Sequence, residues 1–413
     1  MSRIFKGQWA GAIGNTVEWF DFAVYGYFAR DIGQAFFPAD VPSLQLIGAF
    51  GVFAVGYLMR PVGSVVLGPI GDLVGRRPLL LLSVALMSGC SLAIALLPTT
   101  QQWGITAALL LVLLRMIQGL SVGGEFPGSV VALVESAPKA KRGFYASFTC
   151  AGAILGFVGG SLSAALINQF LEPAAVAQWG WRIPFLIGAV LGAMALALRS
   201  SLEETRPVAV SATLTDHLRL VSRQWPAMLQ LMGAISLSNV VFYIAAVFYV
   251  EALSARYPDQ AANFSAVTTL NQAIGVGLIL LGGWLCDRFE PIRLARRVNL
   301  AMAVVVVPGV LLLQSGSVLQ FAAGQLLVLI PLMLYLGIYP SFLPQLFPAE
   351  GRCSGFSFSY SLQVALLGGT APLVATWLLE GQGWSQGPAF YCLLWALPSL
   401  WALRSLSAER DQK

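Results

Sequence analysis

Residues 14–29 have the sequence GNTVEWFDFAVYGYFA, which is apolar enough to enter a membrane although it contains Glu18 and Asp21. A charged side chain near the centre of a bilayer costs roughly 2.5–3.5 kcal/mol, so ionisable residues in spanning helices face the bundle interior or a water-filled cavity. Asn15, Glu18, Asp21 and Tyr25 follow the three- and four-residue spacing of one helical face. We therefore predict that this face points away from lipid.

The whole chain of 413 residues has the composition of a polytopic membrane protein. Hydrophobic residues make up 57% and charged residues 10%, against roughly 25% charged in a soluble domain, and the mean hydropathy is +0.76. Apolar runs of about 20 residues, the length that spans hydrocarbon, recur from end to end. We predict an all-α protein with about twelve spanning helices, at 8–30, 43–67, 78–98, 104–134, 143–168, 182–199, 226–252, 264–286, 297–314, 318–345, 355–380 and 386–404.

Lysine and arginine predict the orientation. They are concentrated in the tails and the even-numbered connections, whereas the odd-numbered connections have little beyond Arg30, Arg182 and Arg256. The positive-inside rule then predicts that both termini are cytoplasmic, in a protein of the bacterial inner (plasma) membrane. The net charge of +5 is a topology signal and not an indication of nucleic-acid binding, because the basic residues are spread over many short loops.

Two patterns recur in the two halves of the chain at closely similar offsets. In one, a proline precedes an arginine by four residues, at Pro138 with Arg142 and at Pro348 with Arg352. In the other, a glycine precedes an aspartate by four residues in the loop after the second helix of each half. Such repeats are typical of transporters. They predict an N-terminal six-helix half at 1–199, a polar cytoplasmic linker at 200–225 and a C-terminal six-helix half at 226–413.

The loop between the second and third predicted helices, GPIGDLVGRR at 68–77, resembles the signature loop of the major facilitator superfamily. RMIQG at 115–119 resembles the helix-4 motif of that superfamily. A finer resemblance, to the metabolite:proton symporter family of citrate, oxoglutarate, shikimate, proline and betaine carriers, covers both halves in order. Its matching segments are 14–26, 60–77, 115–126, 135–147, 179–186, 202–207 and 346–372. The resemblance implies two pseudo-repeated halves that transport a small metabolite by alternating access.

The resemblance also implies a cytoplasmic gate. Its predicted residues are Gly68, Asp72, Gly75, Arg76, Arg77, Arg142 and Arg352. The glycines permit a tight turn, the aspartate is favoured near a helix N-terminus, and the arginines reach carboxylates or anionic lipid. Ion pairs here would hold one conformation and break in the other. The alternative is that the basic residues only anchor the topology.

A buried cation is predicted in the fourth helix. Arg115, Gln118 and Glu125 return to nearly the same helical face, and a buried arginine needs a partner. The available acids are Glu18, Asp21 and Glu125. Arg60, by contrast, is expected near the cytoplasmic end of the second helix, where its side chain could reach the interface.

Asp21 and Glu18 are the predicted proton-coupling residues. Burial favours a neutral carboxyl and a nearby arginine favours a charged one, so a group balanced between them can exchange a proton. We expect Asp21 to be the coupling site and Glu18 to tune it or to pair with Arg115. The alternative is a fixed ion-pair cluster that only sets helix packing.

The predicted central cavity is charged on its N-terminal side and aromatic and polar on its C-terminal side. The C-terminal half offers few ionisable residues within its spans, and glycines and prolines predict bends in its tenth and eleventh helices. The predicted substrate and cavity residues are Asn15, Tyr25, Arg115, Gln118, Glu125, Asn239, Tyr243 and Tyr339.

The sequence favours a transporter and not an enzyme. It contains neither a GxxxxGK[ST] phosphate loop nor a GxSxG elbow, and its single histidine excludes HExxH. We predict no cofactor and no metal. The first interpretation is a monomeric, proton-coupled symporter of a small organic acid, in contact with membrane lipid. The alternatives are a symporter of a zwitterionic osmolyte or amino acid, a proton-driven exporter of a siderophore or drug, and a non-transporting sensor.

Overall fold

The computed structural model describes residues 3–37, 42–74, 76–200, 222–348 and 352–411. The first six spanning helices, α1–α6, pack as one half of a bundle. Short helices at Ala29–Phe36 and Thr100–Trp103 lie between them. Their bounds are α1 (Arg3–Tyr27), α2 (Pro42–Val74), α3 (Arg76–Leu96), α4 (Ile105–Ser121 and Glu125–Ser136), α5 (Arg142–Phe170) and α6 (Arg182–Ser200).

The second half contains six further helices, several of them interrupted. Their bounds are α7 (Trp225–Ala234, Ser236–Tyr243 and Tyr249–Arg256), α8 (Ala261–Cys286), α9 (Pro291–Leu313), α10 (Val318–Ile338), α11 (Arg352–Gln363 and Ala371–Thr376, with wide turns at Val364–Gly368 and Trp377–Gly381) and α12 (Gly387–Leu394 and Ala396–Asp411). The predicted linker at 200–225 falls mainly on residues 201–221, which lie outside the described residues. The predicted boundaries of the two six-helix halves therefore stay predictions.

The twelve-helix architecture predicted from the apolar runs is confirmed. Within the described ranges, nine helices are long and apolar enough to cross a membrane, and Pro173–Gly180 with Arg182–Ala197 forms a tenth span bent by 44°. α3 contains a shorter apolar helix, Leu81–Leu96, and α1 carries the polar face predicted above. α10 ends at Ile338 and not at 345, because Pro340 and Pro344 cannot continue the helical hydrogen bonds.

The sequence did not predict the break in α7. The helix stops at Ala234 and resumes at Ser236, and the carbonyl oxygen of Ala234 accepts hydrogen bonds from Tyr335 Oη at 2.6 Å and Ser399 Oγ at 2.8 Å. Interrupted backbone is tolerated at membrane depth where neighbouring side chains satisfy the freed groups. Helices α10 and α12 thus stabilise the break in α7.

Glycines allow two pairs of helices to touch backbone to backbone. A Cβ at Gly119 of α4 would lie 1.8 Å from the carbonyl oxygen of Gly56 in α2. At the boundary between the halves, a Cβ at Gly143 of α5 would lie 2.5 Å from the carbonyl oxygen of Gly283 in α8. Small residues permit such close approach of spanning helices. The α2–α4 crossing matters for function because it positions Arg60 and Arg115.

We expect Gly119→Ala to lower the stability of the N-terminal half. The added methyl must push α2 away from α4, and overpacking costs about 1–3 kcal/mol. The measurement is the melting temperature of the purified protein in detergent. Gly128→Ala is the matched control, because no heavy atom lies within 4 Å of its Cβ position and alanine favours the helix. Equal melting temperatures for the two variants would contradict the tight crossing.

Candidate functional site

The polar face of α1 is buried as predicted. Asn15, Glu18, Asp21 and Tyr25 are all 3% exposed or less. Two of these side chains fix α1 against its neighbours: Asn15 Nδ2 donates to Ser129 Oγ at 3.0 Å, and Tyr25 Oη donates to the carbonyl oxygen of Ala49 at 3.1 Å. The two carboxylates between them have different surroundings.

Glu18 forms a buried ion pair with Arg60 of α2. Arg60 Nη2 donates to Glu18 Oε1, and Arg60 is only 1% exposed. The guanidinium also lies over the ring of Trp19, 4.8 Å from its centroid. Two expectations are therefore wrong: Glu18 does not pair with Arg115, and Arg60 does not reach the interface. The reason is that α2 continues to Val74, which leaves about 20 Å of helix beyond Arg60.

Asp21 is connected to Arg115 only through two neutral side chains. Arg115 Nη1 donates to Gln118 Oε1 at 2.8 Å, Gln118 Nε2 donates to Ser91 Oγ at 3.0 Å, and Ser91 Oγ donates to Asp21 Oδ2 at 2.6 Å. We call this chain the Asp21 relay. It joins α4, α3 and α1 in the middle of the N-terminal half, and every member of it is buried.

The predicted ion pair of Arg115 with an acid is not formed among the described residues. Arg115 instead lies against aromatic rings, 4.7 Å from the centroid of Phe22 and 4.4 Å from that of Tyr25. Among the described residues, Arg115 Nε and Nη2 have no hydrogen-bond partner, and neither has Asp21 Oδ1. Glu125 begins a separate helical segment after a turn at 122–124, so the continuous spacing that placed it beside Arg115 does not hold.

Space for the Asp21 carboxylate comes from α6. A Cβ at Gly188 would lie 2.2 Å from Asp21 Oδ1. The carboxylate therefore occupies the site that a side chain at position 188 would fill. Sequence reasoning missed this contact, because a single glycine in an apolar helix carries no signal of what lies opposite it.

An aromatic cavity lies between the two halves. Its volume is about 40 Å³, room for a few water molecules. The N-terminal half contributes Trp19, Phe126, Cys150, Ala153, Ile154 and Phe157, and the C-terminal half Asn239, Phe242, Tyr243, Leu336, Tyr339 and Tyr360. Three predicted cavity residues, Asn239, Tyr243 and Tyr339, line it, and five do not: Asn15, Tyr25, Arg115, Gln118 and Glu125.

Hydrogen bonds of the cavity residues cross between the halves. Tyr243 Oη donates to Tyr57 Oη at 2.7 Å, and Cys150 Sγ donates to Tyr339 Oη at 3.5 Å. Within the C-terminal half, Asn239 Nδ2 donates to Gln363 Oε1. The polar groups that surround the aromatic rings are thus held by neighbouring helices.

At the end of the bundle where α1 begins and α12 ends, a carboxylate of one half binds the helix start of the other. Asp287, in the loop between α8 and α9, accepts from the backbone N–H of Gly143 at 2.7 Å and of Phe144 at 3.0 Å. Arg352 Nη1 adds a more exposed ion pair with Glu135 Oε1 at 2.8 Å. Backbone N–H groups at a helix N-terminus favour an anion, so Asp287 holds α5 against the second half.

Most of the predicted gate cannot be placed. Gly75 lies outside the described residues, as do the side chains of Asp72, Arg76 and Arg77; only the backbone of Gly68 and Asp72 in α2, and of Arg76 and Arg77 in α3, is described. Arg142 is the first residue of α5, directly beside the N–H groups that bind Asp287. Within the described ranges, no group of three histidine, cysteine or acidic side chains could hold a metal ion.

A sequence profile described as Major Facilitator Superfamily matches residues 11–364. The chain belongs to this superfamily. The resemblance of its loop and helix-4 motifs is thereby confirmed. Structural similarity agrees: the proton:xylose symporter XylE superposes with a TM-score of 0.77 at 15% identity, over 97% of this chain and 94% of that one. At that identity the similarity shows the fold alone.

Curated relatives match nearly the whole chain. The glycine betaine/proline/ectoine/pipecolic acid transporter OusA of Dickeya dadantii is 33% identical over 96% of this chain and 82% of its own length. The proline/betaine transporter of Escherichia coli K12 is 32% identical over the same shares. The ectoine/proline transporter ProP of Corynebacterium glutamicum is 33% identical over 93% of this chain and 80% of its own length.

We expect Asp287→Ala to weaken closure at the end that carries the termini. The variant leaves two helix-terminal N–H groups without their anion, and loss of such a cap costs about 0.5–2 kcal/mol. Spin labels on Lys139→Cys and Arg293→Cys, with the exposed Cys353 replaced by serine, would report the separation of the two halves. The long-distance population should increase in Asp287→Ala. Asp259→Ala, at the opposite end, is the control. Identical distance distributions for the native protein, Asp287→Ala and Asp259→Ala would refute the role of Asp287 in holding this end closed.

Proposed function

We propose that the protein is a proton-coupled symporter of small zwitterionic osmolytes, of the betaine and proline type, in the bacterial inner membrane. The observation that carries the proposal is the aromatic cavity between the halves. The named substrates of the relatives, betaines, proline and ectoine, support it. The distribution of lysine and arginine supports a cytoplasmic position for both termini. We further propose that the carrier acts as a monomer and performs no catalysis.

The cavity is suited to a cation of low hydration. Seven aromatic residues line it, namely Trp19, Phe126, Phe157, Phe242, Tyr243, Tyr339 and Tyr360. The faces of such rings attract quaternary ammonium groups by cation–π interaction. No acid lines this cavity, so the aromatic rings, and not a carboxylate, would attract the cation.

The carboxylate of the same substrate has a suitable partner in Arg60. Arg60 packs against Trp19, a cavity residue, at 4.8 Å from the ring centroid, and its Nη1 has no hydrogen-bond partner among the described residues. A zwitterion with its ammonium group among the rings would thus direct its carboxylate toward a guanidinium. This arrangement favours the zwitterion, which the sequence left as an alternative, over a plain organic acid.

The proton-binding residue is proposed to be Asp21. Glu18 is held by a direct ion pair with Arg60, which fixes its charge. Asp21 meets a hydroxyl and, among the described residues, no Lys or Arg nitrogen within ion-pair distance. A buried carboxyl held in this way can exist in either protonation state, and the Asp21 relay transmits the change to Arg115.

Alternating access is supported by contacts at both ends of the cavity. Asp287 joins the halves at the cytoplasmic end, while Gln272 Nε2 donates to Tyr27 Oη at 2.8 Å toward the other end. Each set must break while the other holds, since a carrier open at both ends would leak.

We expect glycine betaine to raise the melting temperature of the purified protein, and 3,3-dimethylbutanoate to leave it unchanged. The two ligands have the same shape and the same carboxylate, but only betaine carries a positive charge for the aromatic rings. A ligand that binds the folded state raises stability by RT ln(1 + [L]/Kd). An organic-acid carrier would respond to both ligands or to neither, and this outcome would reject the zwitterion.

Trp19→Leu tests the same site by substitution. It should weaken betaine binding about fivefold or more, since a desolvated cation–π contact contributes about 1–2 kcal/mol. The control is Trp103→Leu, because Trp103 is 54% exposed and lies away from the cavity. Equal affinities for both variants would show that Trp19 serves packing only.

Asp21→Asn should abolish uphill uptake driven by a pH gradient. Exchange of substrate at equal pH should survive, because exchange needs only the loaded carrier to change its orientation. Glu18→Gln should behave differently: it leaves Arg60 without its buried partner, which costs about 3–5 kcal/mol, so uptake, exchange and folded yield should decrease together. The measurements are uptake, exchange and thermal stability in proteoliposomes. Uphill uptake by Asp21→Asn with unchanged pH dependence would exclude Asp21 as the coupling site.

A further inference from the structure

A second, polar pocket lies between the halves at the end opposite the termini, which the proposed orientation places outside. We call it the outer pocket. Its volume is about 250 Å³. Tyr27 and the short helix Ala29–Phe36 form one wall, and the end of α7 and the start of α8 form the other. Gln34 and Ala174, at its rim, are exposed.

A buried acid of the C-terminal half closes this pocket onto the N-terminal half. Glu251, in the last segment of α7, is 3% exposed. Its Oε1 accepts from the backbone N–H of Arg30 at 2.6 Å, and Arg30 Nη1 donates to the carbonyl oxygen of Ser254 at 3.3 Å. Arg30 lies in the first turn of the short helix, where backbone N–H groups lack helical partners and favour an anion.

The outer contact has the same chemistry as the Asp287 contact at the other end. In both, a carboxylate of the C-terminal half accepts a hydrogen bond from backbone N–H at the start of a helix of the N-terminal half, from two residues at Asp287 and from one at Glu251. The difference lies in the surroundings: the outer pocket contains a second acid, Asp31, close to Glu251. Asp31 lies beyond α1, outside the spanning segments, and burial raises the pKa of its carboxyl to about 6.

The groups that face Glu251 are few. The end of α1 and the short helix contribute Tyr27, Arg30 and Asp31, and α8 contributes only Ala261 and Ser265, neither of which titrates. Asp259 lies in the turn after α7. Two carboxylates in one pocket disfavour each other's charge, and Arg30 offers a single compensating cation. The pocket is therefore suited to taking up a proton from outside.

We propose that Glu251 is a second proton-binding residue of transport: as a carboxylate it latches the outer end shut, and when protonated it releases Arg30 and lets the outer end open. The proton passes from water in the outer pocket to a Glu251 carboxyl oxygen. The acid then carries no charge to hold the Arg30 N–H and guanidinium. This inference rests on the alternating access proposed above, and it gives external acidity a direct effect on outward opening.

Ser265→Cys provides the reporter for outer opening. Ser265 is 2% exposed and lines the outer pocket from α8, so its thiol should react with a membrane-impermeant maleimide only when the pocket opens. Thiol reactivity itself depends on pH through the thiolate fraction. The rate is therefore divided by that of Ala174→Cys, which stands at the exposed rim. Cys353, the exposed native cysteine, is replaced by serine in both proteins.

With native Glu251, the normalised rate should be about fivefold higher at external pH 5 than at pH 8. The reason is that loss of one contact between an anion and a helix start changes the equilibrium constant between the closed and open states by about that factor. Glu251→Gln should react at the high rate at both pH values. Glu172→Gln is the matched control, an exposed acid on the same side that does not line the pocket, and it should keep the native pH dependence. Glu251→Asp keeps the charge and should also remain pH-dependent.

Two results would overturn the proposal. They are a pH-independent rate with native Glu251 and a native pH dependence in Glu251→Gln; in the second case, loss of the pH dependence in Asp31→Asn would assign the proton to Asp31 instead. The first needs no Glu251 variant, so poor folding of Glu251→Gln leaves the test intact. Since the assay uses no substrate, it remains valid if betaine fails to bind, and the two proposals fail separately.

Discussion

The buried pair of Glu18 and Arg60 is the interaction around which the N-terminal half is organised. A lone charge at this depth is costly, and removing either partner would leave one. The pair ties α1 to α2, and Arg60 in turn lies against the ring of Trp19 at the aromatic cavity. The tight glycine crossing of α2 and α4 then fixes Arg115 beside α1. The position of the aromatic cavity and that of the Asp21 relay thus both depend on α1.

The C-terminal half satisfies the same constraint through its backbone. It buries few charges, but α7, α11 and α12 are interrupted, and each freed carbonyl needs a donor. At the wide turn Ile244–Phe248, Gln325 Nε2 donates to the carbonyl oxygen of Ala245 at 3.0 Å. These breaks are natural bending points. The two halves, related by a sequence repeat, therefore divide the work: one holds the charges and the other supplies most of the deformable helices.

The sequence predicted the class of protein, the number of helices and the buried face of α1 because these follow from local periodicity and composition. It did not predict the partners of those residues. Arg60 was misplaced because the hydrophobic run ends near 67 while the helix continues to Val74, and Glu125 was misplaced because a turn interrupts α4. The aromatic cavity was only partly predicted, since Trp19 and Tyr360 come from opposite halves and each alone resembles ordinary packing.

Glu251 was missed because one acid near the end of an apolar helix resembles a residue at the membrane surface, and only the packing of α7 against the short helix shows that it is buried. The two ends of the carrier are closed by contacts of unequal strength. Asp287 accepts from two backbone N–H groups, whereas Glu251 accepts from one and shares its pocket with Asp31. In a carrier with two states, the free-energy difference between the contacts at the two ends must be small. A change of about 5.5 kcal/mol is already enough to shift the populations of the two states from 1:99 to 99:1. One proton and one substrate molecule can supply a bias of that order when each end is closed by only a few hydrogen bonds and ion pairs. Extended ion-pair networks at either end would exceed it and hold the carrier in one state.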